Sequence, residues 1–135
     1  MKIFIAEDET PARERLTATL ARVAPEACVL GHSDTVQGTL DWLAANPAPD
    51  LLLLDIQLAD GLSLELFRDR RLALPTVFTT AYDQFALQAF QALAVDYLLK
   101  PVSETALSQA LAKAEQWRRH FDAQSQARWD QQLDG

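Results

Sequence analysis

Several charged or hydroxyl side chains stand at the ends of short apolar runs, where a packed sheet has no obvious use for them. Glu7 and Asp8 follow the run KIFIA, and Asp55 closes the run LLLLD. Thr80 ends TVFTT, and Lys100 follows VDYLL. If the fold brings the carboxylates together, they either raise one another's pKa or hold a hard divalent cation. The chemistry therefore depends on the elements that position these residues.

Strand-like and helix-like segments alternate five times along the chain. The predicted strands span residues 2–6, 27–33, 51–55, 76–80 and 95–99. The predicted helices begin near residues 10, 34, 62, 83 and 104. Thr10 is the predicted N-cap of the first helix, and Ser33 or Asp34 that of the second. Short connections between strands and helices predict an α/β fold, in which a doubly wound parallel sheet carries helices on both faces.

The carboxyl ends of parallel strands meet at one edge of a doubly wound sheet, which is where such folds bind ligands. Glu7, Asp8 and Asp55 are all expected at that edge. At about 4 Å and an effective dielectric constant near 20, each pair of like charges costs about 4 kcal/mol. Oxygen ligands of this kind suit Mg²⁺, which keeps several of its waters. If the first and third strands are neighbours, the three carboxylates therefore either raise their own pKa values or hold such a cation.

Composition limits the class of protein. The 135 residues carry a net charge of −7, with 19 acidic and 12 basic side chains, so this domain alone is not expected to bind nucleic acid. A hydrophobic content of 49% is enough for one packed domain. The single cysteine excludes an internal disulfide and favours a cytoplasmic location. No signal peptide or run long enough to cross a membrane is visible.

Taken together, these motifs resemble the receiver domain of two-component response regulators. The matching residues are Glu7-Asp8, Asp55, Thr80-Ala81 and Lys100-Pro101, and the resemblance covers about residues 1–119. The segment TTAYDQFALQAFQALAVDYLLKP is similar to receivers of the LytTR-type (LytR/AlgR) subfamily. The resemblance implies a flavodoxin-like (βα)₅ fold whose five parallel strands lie in the order 2-1-3-4-5.

The same resemblance assigns roles at the acidic edge. It makes Asp55 the acceptor of a phosphoryl group from the phosphohistidine of a sensor histidine kinase. Asp8, Asp55 and the backbone carbonyl of Gln57 would ligate Mg²⁺, and Glu7 would act mainly through bound water. Lys100 would help to neutralise the oxygens of the transferring group.

The resemblance also implies a conformational switch. Thr80 would donate its hydroxyl to a phosphoryl oxygen, and Tyr97 would turn inward as Thr80 moves. A cis peptide bond between Lys100 and Pro101 would aim the ammonium at Asp55. Tyr82, two residues beyond Thr80, is expected to tune the lifetime of the phosphoryl group.

Gln57, two residues beyond Asp55, is expected to tune the same lifetime from the other side. The segment DIQLADG, which contains it, is shorter than the usual loop of the family and lacks its proline. The loop beside Asp55 is therefore expected to have a conformation different from that of the usual loop of the family.

Residues 1–121 are predicted to form the receiver and residues 122–135 a linker or tail, which leads to an output domain outside this chain or ends free. A homodimer is expected on phosphorylation, through the face formed by the fourth helix, the fifth strand and the fifth helix. Phe85, Phe90 and Leu93 are candidates for apolar contacts on that face. The expected function is a signalling switch that regulates transcription, with self-catalysed phosphotransfer and autodephosphorylation, and not a metabolic enzyme.

Two other classes remain open. A Mg²⁺-dependent phosphatase with an aspartyl-phosphate intermediate uses similar groups, but it carries a second aspartate two residues after the nucleophile, where this chain has Gln57. An inert receiver-like docking module is the other alternative, and the complete set of acceptor, acidic residues, hydroxyl and lysine argues against it.

Overall fold

The computed structural model describes residues 1–68, 72–82, 89 and 94–133, and for residues 121–133 it describes the backbone alone. The strands are β1 Lys2–Ala6, β2 Cys28–Ser33, β3 Leu51–Asp55, β4 Gln57–Leu58, β5 Gly61–Leu62, β6 Thr76–Thr80 and β7 Asp96–Leu99. The helices are α1 Thr10–Val23, α2 Val36–Ala45 and α3 Glu104–Leu133, together with the 3₁₀ helix Ser63–Phe67.

Five strands form one parallel sheet in the order β2-β1-β3-β6-β7. This is the predicted 2-1-3-4-5 topology, because the two extra numbers belong to a separate two-stranded hairpin, β4-β5. The flavodoxin-like fold is therefore confirmed. The order reverses at β1 and β3, so the carboxyl ends of these two strands flank the crevice where doubly wound folds bind ligands.

A continuous apolar strand in the centre of the sheet separates two hydrophobic cores. All five residues of β3 are buried, and Leu51 and Leu53 point into one core while Leu52 and Leu54 point into the other. The first core contains α1 and α3 through Leu20 and Leu107, among others. Because successive side chains of β3 enter opposite cores, all four leucines of LLLLD are buried and form a continuous apolar run.

The predicted helix caps are each displaced by one or two residues. Glu9 and not Thr10 precedes the first turn of α1, and Pro11 lies within that turn. The N-cap of α2 is Thr35, whose side chain accepts a hydrogen bond from the backbone N–H of Gly38 at 2.8 Å. Ser33 instead accepts the N–H of Thr35 at 3.2 Å, so this serine, two residues before the N-cap, supports the cap residue without being the cap itself.

The predicted third helix differs most from the structure. The chain after Asp55 forms the β4-β5 hairpin, and within the described residues 56–68 the helical part is Ser63–Phe67, as one 3₁₀ segment. Gly61 has a φ of 149°, a conformation that favours glycine, and this lets the chain reverse within the short segment. The predicted helix that starts at residue 83, with Phe85, Phe90 and Leu93, lies outside the described residues apart from Ala89.

The last helix, α3, is 30 residues long and continues the backbone through residues 122–133. Its first half packs on the sheet with Leu107, Ala110 and Ala114. The assignment of residues 122–135 as a linker or tail stays a prediction. Among the described residues, no helix has both the length and the apolar character that crossing a bilayer requires.

Candidate functional site

Four strands of the sheet deliver the predicted site residues to one edge. Glu7 directly follows β1, Asp55 is the last residue of β3, Thr80 ends β6 and Lys100 follows β7. Asp55 lies opposite Thr79 in the register of β3 and β6. Glu7, Asp55 and Thr80 are only 2%, 6% and 1% exposed, so all three are polar groups taken out of water.

The ammonium of Lys100 joins two of the carboxylates. Its Nζ donates to Oδ2 of Asp55 at 2.8 Å and also to Oε1 of Glu7. The backbone N–H of Lys100 donates to the carbonyl of Thr80 at 2.8 Å, and the Lys100–Pro101 peptide bond is cis, as the sequence predicts. The lysine therefore faces the crevice and not the solvent.

Two opposing effects act on this lysine. Burial alone lowers the pKa of Lys100, but its hydrogen bonds to Asp55 and Glu7, together with their charges, outweigh burial and raise the pKa above its ordinary 10.5. The ammonium is therefore charged at neutral pH.

Three carboxylates meet around this ammonium. One oxygen from each of Glu7, Asp8 and Asp55 lies within 4.8 Å of the others. Partial burial is the main cause that raises the pKa of Asp8 above 3.8, and the hydrogen bond and charge of Glu7 add to it, whereas Lys100 opposes it. One ammonium against three carboxylates leaves a surplus of negative charge on hard oxygen ligands. These residues therefore fit a small divalent cation such as Mg²⁺.

The other flank of Asp55 is held by neutral donors. The backbone N–H of Gln57 donates to Oδ1 of Asp55 at 3.2 Å, so among the described residues each carboxylate oxygen has one donor. The hydroxyl of Ser63 donates to the backbone carbonyl of Asp55 at 2.8 Å, and its N–H donates to the carbonyl of Ile56 at 2.8 Å. The side chain of Gln57 is exposed.

The hairpin tip contacts the start of α2. Both carboxylate oxygens of Asp60 accept backbone N–H groups there, from Val36 at 2.6 Å and from Gln37 at 3.0 Å. These bonds lower the pKa of Asp60 below 3.8. The N–H of Ala59 also donates to the carbonyl of Asp34 at 3.2 Å.

A chain of hydrogen bonds links the two predicted switch residues. The backbone N–H of Tyr82 donates to the hydroxyl oxygen of Thr80 at 3.2 Å, and the hydroxyl of Tyr97 donates to the backbone carbonyl of Tyr82. The Tyr97 ring is half-buried and packs on the core that contains Phe78. Tyr82 has a side chain that is 49% exposed. The backbone of Tyr82 therefore connects Thr80 to Tyr97.

A pocket of about 260 Å³ opens beside the crevice, between α1 and the chain after β7. Glu7, Thr79 and Lys100 line both this pocket and the acidic edge. Arg15 and Arg22 of α1 contribute cations to its wall.

Three features of the site were not predicted. The first is the ion pair between Glu7 and Lys100. The sequence could have indicated it, because both residues follow predicted strands of the same parallel sheet. The hydroxyl of Ser63 and the carboxylate of Asp60 are the others. A short loop that ends in Asp-Gly indicates a turn, but it does not indicate which distant N–H groups the aspartate accepts.

Known proteins are similar to this chain in sequence and in fold. The family model described as "Response regulator receiver domain" matches residues 3–112. The "Sensory transduction protein LytT" of Bacillus anthracis is 37% identical over 138 residues, which cover 100% of this chain and 53% of that protein. The "Positive alginate biosynthesis regulatory protein" of Pseudomonas aeruginosa is 39% identical, over 84% of this chain and 47% of that protein.

The chain therefore spans about half the length of these curated relatives. Among solved structures, the response regulatory domain of protein mrkE from Klebsiella pneumoniae aligns with a TM-score of 0.76 and 29% identity, over 89% of this chain and 99% of that one. The predicted resemblance to LytTR-type receivers is confirmed by these relatives. The chain belongs to the receiver domain family of two-component response regulators.

Proposed function

We propose that this domain is a phosphorylation-dependent switch in which Asp55 accepts a phosphoryl group from the phosphohistidine of a sensor histidine kinase. The observation that carries the proposal is the setting of Asp55. Asp55 is 6% exposed, and its carboxylate lies 2.8 Å from the ammonium of Lys100 and shares its crevice with two further carboxylates. A buried carboxylate with one cation and a site for another suits attack on a phosphoryl group.

In the transfer, a carboxylate oxygen of Asp55 forms a bond to phosphorus, and the bond between phosphorus and the imidazole nitrogen of the donor breaks. The imidazole leaves with the electron pair and takes up a proton. Lys100 stays charged and offers donors to the phosphoryl oxygens. Hydrolysis of the resulting acyl phosphate would return Asp55, and we expect the exposed side chains of Gln57 and Tyr82 to tune the rate of that step.

Glu7, Asp8, Asp55 and the backbone carbonyl of Gln57 would hold Mg²⁺, the first of these through bound water. When bound, Mg²⁺ supplies the additional positive charge that the carboxylates and the incoming phosphoryl group require. The geometry of the cluster supports this part of the proposal, because one oxygen from each of Glu7, Asp8 and Asp55 lies within 4.8 Å of the others.

Thr80 and Tyr97 would convert the modification into a change of shape. A phosphoryl group on Asp55 offers new acceptor oxygens to the Thr80 hydroxyl. If Thr80 turns towards them, its bond with Tyr82 is lost, and the Tyr82 carbonyl that holds Tyr97 is then free to move. Such contacts exist only in the modified state, so they shift the population of a two-state segment.

The partners follow from this chemistry. A pocket opens beside Lys100, and we expect the phosphodonor domain of a kinase to approach the crevice from that side. We expect a homodimer through the fourth-helix, fifth-strand and fifth-helix face, and transcription regulation through a domain outside this chain. Equal sedimentation of the untreated and the beryllofluoride-treated protein would contradict the dimer. A cytoplasmic location stays a prediction.

Incubation with Mg²⁺ and acetyl phosphate tests the proposal against its alternatives. We expect a mass gain of one phosphoryl group per chain, which disappears in Asp55→Asn and on removal of Mg²⁺ with a chelator. Multiple turnover of external phosphoesters would indicate a phosphatase instead. A chain that stays unmodified even with its kinase would be an inert docking module.

A further inference from the structure

The β4-β5 hairpin is held at both of its ends. At its base, Gln57 and Ser63 donate to Asp55 at 3.2 and 2.8 Å. At its tip, the Asp60 carboxylate accepts the N–H groups of Val36 and Gln37 at 2.6 and 3.0 Å. Gln57 pairs with Leu62 and Leu58 with Gly61 between these ends. A continuous set of hydrogen bonds therefore runs from Asp55 to the start of α2.

Helix α2 already has an N-cap residue of its own, so the contact with Asp60 is not needed to supply one. Thr35 accepts the N–H of Gly38, as an N-cap residue does. The first turn of α2 carries no acidic residue, so Asp60 is the carboxylate that meets the positive end of this helix in the described structure. Asp60 lies 23 and 24 positions further along the chain than its two donors. The contact thus ties two separate elements together.

We propose that Asp60 is a positioning residue for the phosphorylation reaction. By anchoring the hairpin tip on α2, it fixes the backbone carbonyl of Gln57 towards the magnesium site and the N–H of Gln57 towards Asp55. The inference rests on the proposed function, since it concerns the same magnesium site. It adds that α2, which supplies no ligand, contributes to metal affinity.

Linkage makes the coupling reciprocal. If anchoring of the tip favours Mg²⁺ binding, then Mg²⁺ binding must strengthen the contact between Asp60 and the N–H groups of α2. Exchange of the Val36 and Gln37 amide protons should therefore slow when Mg²⁺ is added to the unaltered chain. In Asp60→Ala the same amides should not respond.

Variants of two kinds separate positioning from helix stability. Asp60→Ala removes both acceptors, and Asp60→Asn removes the charge but keeps one acceptor oxygen. Thr35→Ala is the matched control, because it removes a cap bond of the same helix without touching the hairpin. Asp41→Asn is a second control, because it removes a carboxylate of α2 that, in the described structure, is not bonded to the hairpin. This carboxylate accepts a hydrogen bond from the side chain of Gln37. The measurements are Mg²⁺ affinity by calorimetry and the rate of mass gain with acetyl phosphate.

We expect Asp60→Ala to weaken Mg²⁺ binding by about tenfold, as loss of an outer-shell partner does at other metal sites. Asp60→Asn should lie between Asp60→Ala and the unaltered chain. Thr35→Ala should lower the unfolding midpoint while Mg²⁺ affinity stays unchanged, and Asp41→Asn should leave the affinity unchanged as well.

Two results would overturn the inference, and they differ. If Asp60→Ala binds Mg²⁺ as tightly as Thr35→Ala and is phosphorylated at the same rate, Asp60 only caps a helix and the proposed function stands. If the unaltered chain neither binds Mg²⁺ nor gains mass, the proposed function fails and the positioning role fails with it.

Discussion

Two segments flank Asp55, and they hold it by different means. On one side Lys100 places a single ammonium between Asp55 and Glu7, so the contact is between full charges in a crevice largely shielded from water. On the other side the hairpin and Ser63 offer a backbone N–H and a hydroxyl, and neither carries a net charge. Lys100 therefore neutralises the charge of the Asp55 carboxylate, and the hairpin with Ser63 fixes its orientation.

The difference separates two requirements of phosphoryl transfer, which are charge neutralisation and positioning. Changes on the Lys100 side should alter the rate of phosphorylation most. Changes on the Ser63 side should alter the stability of the loop that carries the acceptor.

The largest effect is expected for Lys100→Met. Methionine replaces the apolar stem of the lysine with an unbranched side chain of similar length, but it removes the cation that contacts the phosphoryl oxygens. We expect phosphorylation by acetyl phosphate to slow by about 100-fold, the usual cost of losing one preorganised donor to a developing charge. The measurement is the rate of mass gain at saturating Mg²⁺.

Lys113→Met is the control for this variant, since it removes an exposed lysine whose ammonium pairs with Asp96 at 3.2 Å. Its rate should equal that of the unaltered chain. Equal rates for Lys100→Met and Lys113→Met would contradict the neutralising role.

Lys100 also has a pH signature. Its folded pKa lies above 10.5, so its ion pairs stabilise the fold fully below that pH, and the benefit is lost as pH rises through the folded pKa. The stability difference between the unaltered chain and Lys100→Met should therefore stay constant from neutral pH to about 10 and shrink above it. Urea unfolding across this range measures the difference. A difference that vanishes already near neutral pH would contradict the account.

A smaller effect is expected for Ser63→Ala. Ser63 is fully buried, and its hydroxyl is a donor to the Asp55 carbonyl. Without it, a buried acceptor loses a partner, which should lower the free energy of unfolding by about 1–3 kcal/mol. Thr17→Ala removes an exposed hydroxyl that donates to the carbonyl of Arg13 and should change stability by less than about 0.5 kcal/mol. Urea unfolding of both variants tests the contrast, and equal stabilities would contradict it.

The smallest effect, and one of opposite sign, is expected for Asp8→Asn. Because the folded pKa of Asp8 is raised above 3.8, ionisation of this group costs stability; the cost is absent below pH 3.8 and complete above the folded pKa. Without metal at neutral pH, Asp8→Asn should be more stable by less than about 1 kcal/mol, since the group is largely exposed.

Addition of Mg²⁺ should reverse this order, because the cation stabilises only a chain that binds it. Thermal unfolding with and without Mg²⁺ measures both effects. An Asp8→Asn variant that Mg²⁺ stabilises as much as the unaltered chain would remove Asp8 from the metal site.

The sheet and the charged side of the site were predictable because they depend on residue types. A carboxylate after four leucines and a lysine after an apolar strand conflict with their surroundings, and the carboxyl ends of parallel strands bring them together. The predicted contact between Lys100 and Asp55 is present in the structure at 2.8 Å.

The hairpin side was not predictable because it depends on backbone geometry. DIQLADG contains no charge pattern that distinguishes a helix start from a two-stranded hairpin. The partners of the Asp60 carboxylate and the Ser63 hydroxyl are backbone N–H and carbonyl groups, which do not depend on residue type. Thr35 was missed as a cap for a related reason, since Ser33 and Asp34 are equally good cap residues by type.

The most direct test of the account is to locate the phosphoryl group chemically. Borohydride reduces an aspartyl phosphate to homoserine, so peptide mass mapping after treatment with acetyl phosphate, Mg²⁺ and borohydride identifies the acceptor. The account predicts homoserine at position 55 alone, and none in the Asp55→Asn variant. Homoserine at position 8, or a phosphoryl group that survives in Asp55→Asn, would contradict it.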